Sequence, residues 1–160
     1  MAEDFAEMIN RMPGQGWLKA MGIVVTLATV EEVRAEWDVE ERHLQGYGIV
    51  HGGVHSGVIE TLASIGAHLT AMARGQRAVG LENHTSFIRA VGSGRLRGVA
   101  KPVTRGRTSQ VWEAWIRDSE ERLVARGTVR LLCIDAGKAL GDRALSEKAL
   151  GDKAPGAAAE

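Results

Sequence analysis

Phe5, Met8, Ile9 and Met12 recur at helical spacing ahead of Pro13 and Gly14, which predicts a short amphipathic helix over residues 1–13, a brace or lid closed by a turn. From Trp17 to Thr29 the chain is rich in apolar and β-branched residues and is expected to be β. Val33, Ala35, Trp37 and Val39 then alternate with Arg34, Glu36, Asp38 and Glu40, the pattern of a half-buried strand. After the loop around Gly46-Tyr47-Gly48, residues 53–73 contain no proline and a dense run of apolar and small side chains, enough for about five helical turns. Four β-like segments follow at 77–90, 94–105, 108–118 and 121–134. The turns between them fall at Val91-Gly92-Ser93-Gly94, Arg105-Gly106 and Asp118-Ser119-Glu120-Glu121. Connections this short favour antiparallel pairing. In the last segment Leu123, Ala125, Gly127, Val129, Leu131 and Cys133 share one face and Arg122, Arg126 and Arg130 the other, so one side of the sheet is covered and the other wet.

The pattern is that of an α+β domain with one long helix against an antiparallel sheet. Beyond Asp135 the composition turns to Ala, Gly, Lys and Asp, with Lys-Ala-Leu-Gly-Asp at 138–142 and again at 148–152. Its few leucines bury little area, so 136–160 reads as a tail. At 160 residues, 44% hydrophobic and 25% charged, the chain suits one core-forming domain over 14–135. Lys plus Arg and Asp plus Glu balance at 20 each, so net charge directs it neither to nucleic acid nor to a membrane. The lone cysteine, Cys133, cannot form an internal disulfide, and no long apolar run suggests export or insertion. A cytoplasmic location is expected.

Within the long helix one acid, Glu60, stands among Val54, Val58, Ile59, Leu62 and Ile65, where a carboxylate is costly to desolvate. Ser56, Gly57, Ala63, Ser64 and Ala67 lie on its side of the helix and predict a shallow space beside it. Gly52 and Gly53, after His51, place free N–H groups and the helix dipole at the start of that helix, where an oxygen gaining negative charge would be stabilised. The plainer alternative is that the glycines only admit a tight loop and that Glu60 pairs with a surface arginine. His51 and His55, four apart, form a weak metal pattern because the first precedes the helix body. His43, His68 and His84 add no ligand spacing, and His68 and His84 suit structural roles.

Between Phe87 and Ser109 lie Arg89, Arg95, Arg97, Lys101, Arg105 and Arg107 and no acid. All but Arg89 occupy one face of the strand at 94–107, a basic stripe suited to phosphate. The competing reading is a solvated strand face paired with Glu113 and similar acids. Trp112 and Trp115 do not interleave with the stripe as a nucleic-acid surface requires.

Gly48-Ile49-Val50-His51-Gly52-Gly53-Val54, Glu60-Thr61-Leu62-Ala63-Ser64, Val79-Gly80-Leu81-Glu82-Asn83-His84-Thr85-Ser86-Phe87, Arg95-Leu96-Arg97-Gly98-Val99-Ala100-Lys101-Pro102 and Gln110-Val111-Trp112 together resemble the hotdog-fold acyl-CoA thioesterases. The resemblance spans about residues 15 to 134. It is closest to the branch of the 4-hydroxybenzoyl-CoA and 1,4-dihydroxy-2-naphthoyl-CoA thioesterases, related to the phenylacetate-pathway enzymes. It implies an antiparallel sheet wrapped around the central helix, and a homodimer or homotetramer with active sites between subunits. It further implies that Glu60 is the general base or nucleophile, that the Gly52 N–H polarises the thioester carbonyl, that His51 and Gln45 orient the thioester, and that Ser64 helps place the water or the carboxylate. By the same analogy the coenzyme A part of the substrate lies near Arg89 and the turn Gly106-Arg107-Thr108-Ser109. Arg107 departs from close relatives, which often carry serine there. No metal or redox cofactor is implied. The function expected is hydrolysis of an acyl-CoA, with an aromatic acyl group favoured over a medium-chain one. The alternative is a non-catalytic hotdog module that binds an acyl-CoA or a partner protein.

Overall fold

Residues 3–12 and 16–137 are described by the computed structural model of the chain. The tail expected from its composition falls, from residue 138 on, outside the described residues.

The helix expected at 53–73 is α3, Gly52–Met72. It packs against a single antiparallel sheet of β1 (Val24–Ala28), β2 (Val33–Asp38), β3 (Gln76–Phe87), β4 (Arg95–Arg105), β5 (Ser109–Asp118) and β6 (Leu123–Asp135). Spatial order is β1-β2-β4-β5-β6-β3, so the strand that follows the helix sits at the far edge. The alternation at 33–38 holds residue by residue: Val33, Ala35 and Trp37 are buried, Arg34 and Asp38 exposed. In β6 Ala125, Gly127, Val129, Leu131 and Cys133 face the helix as expected. A register shift at Ile116/Arg117 buries Val124 as well and leaves Leu123 half-buried.

The expectation of β structure from Trp17 is corrected. Gly16–Ala20 is a helical turn, α2, closed by the Met21 N–H donating to the Trp17 carbonyl at 2.9 Å, and β1 begins only at Val24. Gly22, at φ 64°, ends that turn in the left-handed region. An apolar run this short fits either periodicity. The N-terminal helix is α1, Ala6–Arg11. It buries Ala6 and Ile9 while Met8 and Met12 are exposed.

The helix and sheet meet closely because small residues line the contact. A β-carbon on Gly66 would overlap the ring of Trp112, the largest fully buried side chain. The Trp112 Nε1–H donates to Gln110 Oε1 at 3.0 Å, and Gln110 Nε2 donates to the Ala67 carbonyl at 2.9 Å, so this polar core is satisfied and ties β5 to α3.

The two sheet edges are treated differently. At β1, Asp4 Oδ1 accepts from the Ala28 N–H at 2.9 Å, and Asn10 bonds both the N–H and the carbonyl of Val25, at 3.0 and 2.7 Å. Those side chains occupy the edge. At β3, a 12-residue strand, no strand among the described residues covers the outer side, and Leu81 and Phe87 are exposed there. Among the described residues no helix is long and apolar enough to cross a membrane.

Candidate active site

The start of α3 is held by the loop before it. Gln45 N–H donates to the Ile49 carbonyl at 2.8 Å, Gly48 N–H returns to the Gln45 carbonyl at 2.8 Å, and His51 N–H donates to the His43 carbonyl at 2.8 Å. His51 then caps the helix, its Nδ1 accepting the Gly53 N–H at 2.8 Å. The N–H of Gly52, the first helical residue, has no acceptor among the described residues. It therefore keeps its hydrogen-bonding capacity at the positive end of a 21-residue helix. The Phe87 ring lies over Gly52, where a β-carbon would come within 2.7 Å of Cε2. Gln45, His51, Gly52, His55, Phe87 and Arg89 line one groove of about 420 Å³. Arg89 is exposed and has no acidic partner among the described residues.

His55, on the groove's floor, is 3% exposed, and its Nδ1 is fully covered with no hydrogen-bond partner. Burial pushes its pKa down to about 4, so the ring is neutral near pH 7. It packs beside Phe87 with centroids 6.3 Å apart. His51 Nδ1 is taken up by the helix cap, and among the described residues no group of three or more His, Cys, Asp or Glu side chains gathers as a metal site would. His43 is fully buried. It accepts the Glu40 N–H on Nδ1 at 2.9 Å and lies 2.8 Å from the Met21 carbonyl through Nε2, a structural histidine.

Glu60 is not in the apolar core. Val58, Ile59 and Leu62 turn to the sheet, while Glu60 is half-buried on the flank of α3 beside β3. Ser64 Oγ donates to its Oε1 at 3.3 Å, and Asn83 Nδ2 donates to its Oε2 at 3.1 Å. Gly80 makes the room: a β-carbon there would lie 2.5 Å from Oε1. The space expected on this side is only partly open, because the Trp17 indole packs on Gly57 while Ala63 and Ala67 are buried. Asn83 is not among the residues to which the sequence assigns a role. The available signal was a poor strand former inside a strand.

Glu60 and Gly52 are eight residues apart on one helix, about 12 Å along its axis. Within one chain, therefore, Glu60 and Ser64 form one cluster and Gln45, His51, Gly52 and Arg89 another. Arg107, Thr108 and Ser109 lie apart from both. They are exposed at the other end of α3, where Arg74 Nη1 donates to the Gly106 carbonyl at 3.0 Å.

Of the basic stripe, all but Arg107 are already paired among the described residues. Arg95 meets Asp38 and Glu36, Arg97 meets Glu121, Lys101 meets Glu32 and Arg105 meets Glu31. Its hydrogen bond from Arg95 holds Asp38 below the usual carboxylate range. Glu32 also stays low because Arg34 and Lys101 outweigh its desolvation. Arg95, Arg97, Lys101 and Arg105 thus favour the solvated ion-paired reading over the phosphate one, with acids from β2, the turn before it and, for Glu121, the turn between β5 and β6. Glu113 pairs instead with Arg126.

A single long helix cradled by an antiparallel sheet is the architecture of the hotdog class of thioester hydrolases, and here an acid stands on the helix flank and one unpaired amide, that of Gly52, at its start. Residues 47–125 match the model of the Thioesterase superfamily. A Mycobacterium tuberculosis protein that carries the name of an esterase is 41% identical over 118 residues, covering 72% of this chain and 84% of its own. Proofreading thioesterase EntH of Cronobacter sakazakii is 37% identical over 116 residues, covering 72% and 84%. The solved structure of the M. tuberculosis protein superposes with a TM-score of 0.74 at 38% identity, covering 77% of this chain and 99% of that one. A thioesterase from Haemophilus influenzae gives 0.77 at 28% identity, covering 83% and 92%. The chain belongs to the Thioesterase superfamily and is a thioester hydrolase.

Proposed function

We propose that the protein hydrolyses acyl-CoA thioesters at sites shared by two copies of the chain, with an aromatic acyl group favoured. The observation that carries this reading is the pair of half-sites: an oriented carboxylate at Glu60 and a free amide at Gly52, too far apart in one chain to serve one carbonyl carbon. Antiparallel pairing of the open β3 edge with the same edge of a second copy, centred near Thr85, sets Asn83 opposite Phe87. The Glu60 cluster of one copy then faces the Gly52 groove of the other. The closed β1 edge and the exposed Leu81 and Phe87 support β3 as the pairing edge. The same reading extends to two such dimers associating as a homotetramer.

In the reaction, the thioester oxygen accepts the Gly52 N–H, with His51 and Gln45 at the groove wall to orient the ester. Glu60 takes a proton from water as it attacks the carbonyl carbon, or attacks directly to give an anhydride that water opens. Collapse breaks the C–S bond. The thiolate of coenzyme A leaves with a proton, and the free acid remains. Ser64, bonded to Glu60 Oε1, is placed to hold the water. Arg89, unpaired beside the groove, and the turn at Arg107, Thr108 and Ser109 are the phosphate contacts proposed for coenzyme A. The chemistry draws on the chain's own groups and needs no cofactor. A cytoplasmic site of action suits a coenzyme A ester as substrate.

Thiol release from a panel of aromatic and medium-chain CoA esters tests this. The expectation is turnover of aromatic esters and near-complete loss in Glu60→Gln. Co-expressed Glu60→Ala and His51→Ala chains, each inactive alone, should regain about a quarter of wild-type activity through mixed dimers with one intact site. Tight binding without turnover of any ester would instead identify a binding module, and no recovery on mixing would remove the shared site.

A further inference from the structure

Among the described residues Glu60 is held from outside its own helix by one side chain, Asn83. Asn83 lies on β3, an exposed strand where asparagine is disfavoured. Its Nδ2 donates to Glu60 Oε2 and to the Ser56 carbonyl, both at 3.1 Å. Its Oδ1 accepts from the Thr85 hydroxyl at 2.6 Å. The orientation of the amide follows from its neighbours, because the two groups on one side are acceptors and a flipped amide would set oxygen against oxygen.

We infer that Asn83 is a positioning residue that fixes the rotamer of Glu60, an inference that rests on the thioesterase reading. The Ser56 carbonyl anchors the amide to α3, one turn before Glu60, and Thr85 anchors it along β3. The amide therefore stays put while it holds Oε2. Oε1, with only the longer 3.3 Å bond from Ser64 and with Gly80 presenting no side chain against it, is left as the oxygen that meets the water or the thioester carbon. A hydrogen bond to a carboxylate is also stronger than a neutral one, so a single donor suffices to select one side-chain conformation. Asn83 itself touches no reacting atom and acts only through Glu60.

The test is steady-state kinetics of full-length Asn83→Asp and Asn83→Ala with the best ester of the panel. Asn83→Asp keeps the shape and replaces the donor with a second carboxylate. Both variants should lose about 10- to 100-fold in kcat, the loss expected when a hydrogen bond to a charged group is removed, while KM changes less than about threefold. Thr85→Val, which leaves Asn83 in place but unanchored, should lose a smaller factor in kcat. Asn83→Ala removes the donor without adding a charge beside Glu60, so wild-type kcat in either variant overturns the inference while leaving the thioesterase reading intact. A loss carried by KM rather than kcat overturns it equally. No turnover of any ester by the wild type overturns the thioesterase reading itself, and the role of Asn83 falls with it.

Discussion

Gly80 of β3 and the carboxylate of Glu60 on α3 occupy adjoining space so closely that a β-carbon on Gly80 would stand 2.5 Å from Oε1. The glycine is thus part of the seat of the acid. Gly80→Ala should cost little stability, because the obstructed atom is the end of a flexible side chain. It should displace the carboxylate, and misplacements of about 1 Å cost on the order of 100-fold. We expect a melting temperature within a few degrees of wild type and kcat lowered by 10-fold or more. Wild-type kcat in this variant would detach Glu60 from the reaction.

Arg89 and Arg97 separate the two fates of the basic residues. Arg89 lines the groove without an acidic partner, whereas Arg97 is paired with Glu121 at 3.2 Å on the opposite face of the sheet. Arg89→Ala should raise KM for a CoA ester by about 5- to 10-fold, the effect of one lost charged contact, with kcat nearly unchanged. Arg97→Ala should leave both constants alone and change stability by no more than about 1 kcal/mol, as for exposed ion pairs. Equal effects from the two would return the stripe to the substrate.

Much of this architecture is legible in the order of residues, and what escapes has a common cause. The strand alternation at 33–39 is a periodicity and buries the predicted face because a 2-residue period is a local property, and the helix at 53–73 is marked by an unbroken, proline-free run of apolar and small residues. Trp17 to Ala20 escapes because four residues hold too little of either period. The stripe's partners escape because β4 pairs with β2 across some 60 positions, so Arg95 meets Asp38 only once strand order is known. Asn83 sits inside a recognisable motif, yet its role depends on a contact with Glu60, 23 residues away on another element. Glu60 itself stands out as an acid in an apolar run, for a reason the fold revises: it borders the core and faces β3.

Gly66 sets two effects against each other. Alanine in a helix interior is favoured over glycine by about 1 kcal/mol. At this position, however, the added methyl would overlap the Trp112 ring, which is fully buried and tethered by Gln110. Overpacking of this kind costs about 1–3 kcal/mol, and more where the neighbour cannot move. Gly66→Ala should therefore be destabilising on balance, seen as a lower midpoint in urea with an unchanged slope. A higher midpoint would mean that Trp112 yields.

His55 gives stability a defined dependence on pH. Its folded pKa is depressed to about 4 by burial, whereas an unfolded chain titrates near 6.5. Above 6.5 both states are neutral and the site adds no pH dependence. Between 6.5 and 4 the unfolded chain binds the proton and the folded one does not, so stability falls as pH falls. Below 4 the loss is complete. From pH 7 to pH 5 the sign is thus destabilising, by about 2 kcal/mol, from the same linkage. Urea unfolding at pH 7 and pH 5 measures the difference, and His55→Leu, which fills the site without a titrating group, should remove most of it. If the variant keeps the full pH dependence, the acid sensitivity belongs to other groups, among them the ion-paired carboxylates Asp38, Glu32 and Asp118.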